Sequence, residues 1–147
     1  MKNFKIIKSL ALTVMVVLFT SCSKDDDSFV NVTVNGTVLE GDRSDFNGDI
    51  DASFTGNGGS AKRSFIWNNN LRTADYSADI TATSAGVFRM IVADSEGSVV
   101  LDRTINGATE PDSIDGVTSS GTSGIWTVTI ELTNFKGDGS FSLSEGN

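Results

Sequence analysis

The stretch GIWTVTIELTNFKGDGSFSL, residues 124–143, decides the fold class of this chain. Apolar residues in its first half, beginning with Trp126 and Val128, alternate with threonine and glutamate. Alternation with a period of two is typical of a β-strand that buries one face. The stretch predicts one strand over residues 125–135 and a second over residues 140–143, joined by a turn.

Turn signals of the same kind divide the rest of the chain. Asn35-Gly36 predicts a type I′ hairpin turn, because both central positions of that turn need a positive φ. Asn57-Gly58-Gly59 and Lys136-Gly137-Asp138-Gly139 are glycine-rich and predict two further turns. The run VFRMIVA at residues 87–93 is apolar almost throughout, which predicts a central strand.

Together these patterns predict an all-β domain, an antiparallel β-sandwich of about eight or nine strands with a jelly-roll or immunoglobulin-like arrangement. A long polar stretch, residues 106–124, is predicted to be a loop. The predicted strands cover residues 29–34, 37–40, 50–55, 61–67, 76–83, 87–93, 98–105, 125–135 and 140–143.

The combination of GVFRMIVADSEGSVV, residues 86–100, with the stretch quoted first resembles the last strands of small secreted β-sandwich modules. Pre-peptidase C-terminal domains and jelly-roll or immunoglobulin-like appendages share this pattern. The resemblance covers about half of the chain. It lies in the succession of strands and turns, so it implies a fold and no particular activity.

The N-terminus has the composition of an export signal. Lys2, Lys5 and Lys8 form a basic region, and an apolar run of about ten residues follows at 10–19. A membrane-spanning helix needs about 20 apolar residues, so this run is too short to remain in the membrane. We expect residues 1–21 to be a cleaved signal peptide, with Cys22 at the start of the mature chain.

The run Leu18-Phe19-Thr20-Ser21-Cys22 resembles a lipobox, in the looser form found in Bacteroidota lipoproteins. This resemblance implies that the Cys22 thiol carries a diacylglycerol, and that lipid is the only contact with the membrane. Two acyl chains are enough for stable anchoring. The alternative is an ordinary secretory signal followed by an incidental cysteine. Cys22 is the only cysteine in the chain, which excludes an internal disulfide.

Residues 22–28 are expected to form an acidic tether, and residues 29–147 a single domain. Lys24, Asp25 and Asp26 resemble the signal that exports Bacteroidota lipoproteins to the outer face of the outer membrane. This predicts an outer-membrane lipoprotein exposed at the cell surface. A solvated linker on a periplasmic lipoprotein is the alternative.

Charge and composition exclude several classes of function. Without the three leader lysines the chain has 8 basic and 19 acidic residues, a net charge of −11, which disfavours binding to nucleic acid and to anionic lipid. The absence of histidine excludes Ser-His-Asp and Cys-His catalysis and histidine-ligated zinc. We therefore expect a protein that is not an enzyme.

One acidic stretch predicts a calcium site. Asp45, Asn47, Asp49 and Asp51 follow one another at two-residue spacing, and Asp42 precedes them. Oxygen ligands at alternate positions of a loop can surround a calcium ion. The stretch partly resembles an EF-hand-like or dockerin-like loop, but it lacks the turn glycine and the closing glutamate. An acidic loop without an ion is the alternative.

Two aromatic residues and one serine complete the candidate sites. Trp67, beside three asparagines, is expected to pack in the core with Phe65, with stacking on a sugar ring as the alternative, and for Tyr76 both roles stay open. Ser113, in Asp112-Ser113-Ile114, resembles the O-glycosylation acceptor of Bacteroidota.

The sequence as a whole predicts a displayed, non-enzymatic β-sandwich that serves in binding, with a glycan or a protein as partner, or in surface structure. A small glycan-binding module, a glycan-active accessory enzyme and a periplasmic lipoprotein without a ligand are the alternatives.

Overall fold

A computed structural model describes residues 27–41 and 44–146 of the chain. Nine β-strands and no helix lie within these residues, and none of them forms a helix that could cross a membrane. The strands are β1 (Val30–Val34), β2 (Thr37–Val38), β3 (Asp45–Phe46), β4 (Ile50–Asn69), β5 (Ala74–Ala82), β6 (Val87–Ala93), β7 (Val99–Asn106), β8 (Ser113–Val117) and β9 (Gly124–Glu145).

Two long strands, β4 and β9, run antiparallel along their whole length and belong to both layers of the molecule. Their register runs from Ile50 opposite Leu143 to Asn69 opposite Gly124. One half of this pair forms sheet A, with strand order β2-β1-β4-β9-β5-β8. The other half forms sheet B, with β3 beside β4, β6 beside β9, and β7 beside β6. The predicted all-β antiparallel sandwich is confirmed. β3, which runs parallel to β4, is the exception to the antiparallel pairing.

The sheet folds over on itself at a corner rich in glycine. The register of β4 and β9 shifts between Asn57 and Gly59 and again between Gly59 and Ala61. A side chain at Gly56 would lie 2.6 Å from the Phe135 carbonyl oxygen, so only glycine permits this close approach. Strands that pass from one sheet to the other at bulges are a known way to build such a corner.

At this corner, two predicted turns are wrong. Side chains at Gly59 and Gly137 would collide with the backbone of Phe29 and Thr81, and the chain continues in the same direction through residues 57–59 and 136–139. The four predicted strands on either side of them are therefore two strands, β4 and β9. A glycine cluster has the same composition in a turn and in a bulged strand, so the sequence pattern could not separate the two.

The inward side chains of both sheets form one core. The Phe54 ring, on the sheet A half of β4, stacks on Phe88 of sheet B with centroids 4.9 Å apart. Phe65 and Phe141 face each other at 6.4 Å. Edge-to-face contact joins Trp67 and Trp126 at 6.0 Å. The two phenylalanine contacts connect the layers, and the tryptophan contact joins neighbouring strands within sheet B.

The folded sheet has two different ends. At the corner end the chain enters the domain, where the Asn57 side chain bonds the Phe29 amide at 2.7 Å and the Asp27 carbonyl at 2.9 Å. At the opposite end, which we name the open end, β4 finishes and β9 begins. The sheet B half of β4, about eight residues long, separates the two ends by about 27 Å.

Other predicted elements agree with the structure only in part. The Asn35-Gly36 turn is confirmed, with φ values of 47° and 80°. β6 has the predicted bounds and lies between β7 and β9. The predicted loop over residues 106–124 is partly wrong, because it contains β8. Ile114 is the single buried residue of β8, so this edge strand has too little apolar patterning to be recognised.

Candidate functional site

The open end is built from three loops that follow strands of both sheets. They join β4 to β5 (residues 70–73), β6 to β7 (residues 94–98) and β8 to β9 (residues 118–123), and we name them the open-end loops. The loops contact one another and not only their own strands. The amide of Gly121 donates to the Arg72 carbonyl at 2.7 Å, and Arg72 Nε donates to the Gly121 carbonyl at 3.2 Å.

Asp94 is the centre of this arrangement. Its Oδ1 accepts from the amides of Glu96 and Ser98, at 3.0 and 2.8 Å, and closes its own turn. Its Oδ2 accepts from the amide of Thr122 at 2.8 Å and so joins a second loop. The amide of Thr122 is the largest contribution that lowers the pKa of Asp94, against the opposing effect of burial. The carboxylate is therefore ionised and structural.

Further bonds fix the loop over residues 118–123. Ser95 Oγ donates to the carbonyls of Thr122 and Ser123, at 3.1 and 2.9 Å. The indole nitrogen of Trp126 donates to the same Thr122 carbonyl at 2.8 Å. Thr118 bonds the amide of Ala74 through its side chain, at 3.0 Å. Loops fixed in this way present a preformed surface, which reduces the entropy cost of binding.

The outer surface of the open end carries planar polar groups beside an exposed leucine. Glu145 Oε1 accepts from the backbone amide and the side-chain amide of Asn70, at 2.6 and 2.8 Å. Arg72 is exposed nearby, and Leu71 between them is 40% exposed. A carboxylate and an amide are thus bonded to each other, and the guanidinium of Arg72, two residues from Asn70, is bonded to the Gly121 carbonyl.

A second polar feature crosses the outer face of sheet B. Lys62 Nζ lies 3.0 Å from Glu131 Oε1, and Glu131 Oε2 lies 3.1 Å from Arg89 Nη1. Arg89 also binds Asp102 with two bonds, of 2.8 and 2.7 Å. Lys62, more than Arg89, lowers the pKa of Glu131, and Arg89 lowers the pKa of Asp102. Both carboxylates are therefore held ionised by paired cations.

Both aromatic candidates lie in the core. Trp67 is fully buried, and its indole nitrogen donates to the Gly48 carbonyl at 2.7 Å. Tyr76 is 7% exposed and lies against Gly116, which has no side chain to displace it. Trp67 and Tyr76 therefore both pack in the core, and neither ring has a free face that could stack on a sugar. Trp67 occupies an inward position of β4, and the strand continues two residues beyond it, to Asn69, so the ring does not lie beside a loop.

The predicted calcium ligands do not converge. Within residues 27–41 and 44–146, no three histidine, cysteine, aspartate or glutamate side chains are placed to hold a metal ion. Asn35 binds the carbonyl of Asp49 and the amide of Asp51, at 3.1 and 2.8 Å. These bonds tie the acidic segment to the β1–β2 hairpin instead of closing it on itself. Asp45 and Asn47 are exposed, and Asp42 lies outside the described residues.

The remaining candidates are of two kinds. Ser113 is exposed at the start of β8, opposite Asp79. Its predicted O-glycosylation stays a prediction. Cys22, Lys24, Asp25 and Asp26 lie outside the described residues, so lipidation and surface export also stay predictions.

No protein-family model matches the sequence, and no curated protein is similar to it. One similar solved structure concerns carbohydrate-binding modules of the β-sandwich superfamily. The two sequences are 11% identical, the match covers 80% of this chain and 52% of that chain, and the TM-score is 0.35. Another is described as a CBM4 structure. Its sequence is 14% identical, the match covers 66% of this chain and 80% of that chain, and the TM-score is 0.33. The chain thus spans about half the length of the first structure, 52%. Similarity of this extent carries no argument about function.

The open-end residues are only partly apparent from the sequence. The three asparagines at 68–70 indicate the end of a strand and amides beside Trp67, but no pattern singles out Arg72 or Glu145. Asn70 and Glu145 are 75 residues apart in sequence, and only the pairing of β5 with β9 brings them together. A search for polar residues flanking predicted strand ends would have found Asn70 and Arg72.

Proposed function

We propose that this protein is a lipid-anchored, non-catalytic binding domain at the surface of the outer membrane, and that the open end binds a glycan. One observation carries the proposal: the chain enters the domain at the corner end, and the fixed open-end loops lie at the opposite end. A domain anchored through its N-terminus would hold its corner end toward the membrane. The open end would then face outward.

The sequence of the N-terminus supports the proposed anchor. Cys22 follows a short apolar leader, and a lipid on its thiol would attach the chain about five residues before Asp27. The acidic residues between them repel one another and keep a tether extended. Seven extended residues reach about 20 Å, which leaves room for the domain to stand away from the lipid headgroups.

A non-catalytic role accounts for the ionisable groups with shifted pKa values. Such groups are candidates for catalysis when nothing structural explains them. Here Asp94 closes a turn and joins two loops, whereas Asp102 and Glu131 are paired with Arg89 and Lys62. Each shift therefore has a structural cause.

A glycan fits the chemistry of the open end. Sugar hydroxyls donate and accept hydrogen bonds, and the planar side chains of Asn70, Glu145 and Arg72 offer both functions in a fixed arrangement. Leu71 adds a small apolar contact for the carbon-bound face of a sugar ring. Little reorganisation is required, since the loops are already bonded to one another.

The anchor is tested by mass and by location. The intact mass of the membrane-extracted protein should show acylation at Cys22, and Cys22→Ala should release the protein from the membrane. Protease treatment of whole cells should remove the domain, and exchange of Lys24 and Asp25 for alanine should protect it. An unmodified Cys22 contradicts the anchor, and protection of the native protein contradicts surface display.

The ligand is tested by a glycan array probed with the full mature chain. We expect binding to a restricted set of glycans and a loss of at least about tenfold in Asn70→Ala. Asp115→Asn, on an exposed position of β8, is the matched control and should bind as the native protein does. Absence of binding to every glycan, or equal binding by Asn70→Ala, would overturn the open-end glycan site.

A further inference from the structure

The outer face of sheet B combines an apolar area with a row of charges. At its open-end side the outward residues are aliphatic, and two of them are largely exposed, Val99 at 61% and Ile125 at 52%. Hydroxyl groups occupy the middle, where Ser64 and Thr129 are bonded at 3.0 Å. We name this surface the sheet-B face. Its outward residues are Lys62, Ser64, Ile66, Asn68, Arg89, Ile91, Ala93, Val99, Asp102, Thr104, Ile125, Thr127, Thr129 and Glu131.

The charged row follows the order of the strands. Lys62 is on β4, Glu131 on β9, Arg89 on β6 and Asp102 on β7. Read across the sheet, their charges are positive, negative, positive and negative, and each residue is in contact with the next. The row contains an even number of alternating charges. Glu131 and Arg89 lie at one height in the register, so the centre of the row becomes its own complement when its direction is reversed.

We infer that the sheet-B face binds a second copy of this chain. A two-fold axis in the plane of the interface, parallel to the strands, keeps each residue at its own height and reverses the order of the strands. Glu131 then faces Arg89 of the second copy, so that the two charges nearest the axis each meet an opposite charge. Lys62 and Asp102 lie at the two edges of the face, and Asp102 is two residues nearer the open end. The same operation sets Ile66 against Val99, which matches two aliphatic side chains, and Thr127 against Ala93.

The available area agrees with a modest interface. Four strands spaced by about 4.8 Å and about eight residues of about 3.3 Å each give a face of about 500 Å² per copy. Two copies would cover about 1,000 Å², which is the lower limit for a specific interface. Aligned packing of sheets is a common way to join such faces.

The orientation of this dimer agrees with a shared membrane. Because the axis is parallel to the strands, both corner ends point in the same direction, and both chains enter their domains on the same side. The pairing itself does not rest on the proposed function. If the chain is lipid-anchored, confinement to one membrane raises the effective concentration of the partner and favours a weak contact.

Crosslinking in cells tests the pairing with the full-length protein. Thr129 on β9 faces Ile91 on β6 of the second copy across the axis. One tagged chain carries Thr129→Cys, and a differently tagged chain carries Ile91→Cys. A short bifunctional maleimide should join the two tags. Chains with Ser77→Cys and Asp115→Cys, on the outer face of sheet A, are the matched control and should not be joined. If the chains with Thr129→Cys and Ile91→Cys crosslink no more than this control, the proposal is overturned.

Charge exchange provides the second test. Arg89→Glu in both chains places like charges opposite Glu131, and Glu131→Arg in both chains does the same opposite Arg89. Each should reduce crosslinking at least about fivefold. A chain with Arg89→Glu mixed with a chain with Glu131→Arg restores opposite charges and should recover the crosslink. Failure to recover, with both chains folded by circular dichroism, overturns the pairing.

A further variant covers the case in which a charge variant does not fold. Thr127→Arg lies near the axis, outside the charged row, and should prevent crosslinking by steric conflict and repulsion. Unchanged crosslinking in Thr127→Arg would show that this face is not the interface.

Discussion

Single side chains at the open end have roles that their neighbours in sequence do not reveal. Asp94 accepts bonds from its own turn and from a loop 28 residues later in the chain. Trp67 and Trp126 use their ring nitrogens to hold carbonyls at opposite sides of this end, at Gly48 and Thr122. The rings fill the core, and their polar atoms position the loops above it.

Asp94→Asn should reduce thermal stability at neutral pH. Because native hydrogen bonds lower the pKa of Asp94, its ionised form stabilises the fold above the pKa of the unfolded chain, about 3.9. That stabilisation is lost as the pH falls through the lower pKa of the folded state. The difference in melting temperature between Asp94→Asn and the native protein should be smaller at pH 3 than at pH 7.

Asp115→Asn, on the exposed side of β8, is the control for Asp94→Asn. It should melt close to the native protein at pH 7. Equal melting temperatures for Asp94→Asn and the native protein at pH 7 would contradict the structural role of Asp94.

Trp67→Ala should reduce the free energy of unfolding by about 3–5 kcal/mol. The substitution removes a fully buried indole and leaves the Gly48 carbonyl without its donor. Trp67→Phe retains much of the volume and should cost less. Val38→Ala, at a position 53% exposed, should change stability by about 0.5 kcal/mol or less. Urea denaturation measures all three, and a cost for Trp67→Ala as small as that of Val38→Ala would contradict this packing.

At the scale of elements, β4 and β9 determine the architecture. Each crosses from one sheet to the other, and glycines at the crossing let the two layers of backbone approach. Gly137 has a φ of 151°, and a side chain there would collide with the backbone of Thr81. The corner therefore depends on both backbone conformation and space.

Gly137→Ala should cost at least about 2 kcal/mol in the free energy of unfolding, because both the φ value and the contact with Thr81 oppose a side chain. Gly41→Ala is the matched control, since nothing lies within 4 Å of a side chain at that position. Its effect should stay within about 0.5 kcal/mol. A tolerated Gly137→Ala would show that the corner can relax, against the arrangement described here.

The sequence predicted those elements whose apolar residues alternate clearly, and failed where glycine or edge position removed the pattern. β6 and the β1–β2 turn were predicted with their bounds. The corner was predicted as two turns, and β8 as part of a loop. Open-end contacts such as Asn70 with Glu145 depend on strand pairing between distant segments, which a single sequence does not show.

At the scale of the whole molecule, the two sheets should not unfold separately. They share β4 and β9, and their inward aromatic rings contact one another. Unfolding in urea should therefore be a single transition. Tryptophan fluorescence reports on sheet B, where Trp67 and Trp126 lie, and far-ultraviolet circular dichroism reports on both sheets. The two midpoints should coincide. Separate midpoints would contradict one cooperative unit.

The opposition of the corner end and the open end has a mechanical consequence. If the chain is held at Phe29 and a ligand pulls at the open end, the force runs along the strand axes. The hydrogen bonds of antiparallel strands lie perpendicular to that direction, so the load acts on many of them in shear at the same time. A pull across the strands would instead separate the bonds one after another. We expect the domain to resist tension between membrane and ligand better than tension applied from side to side.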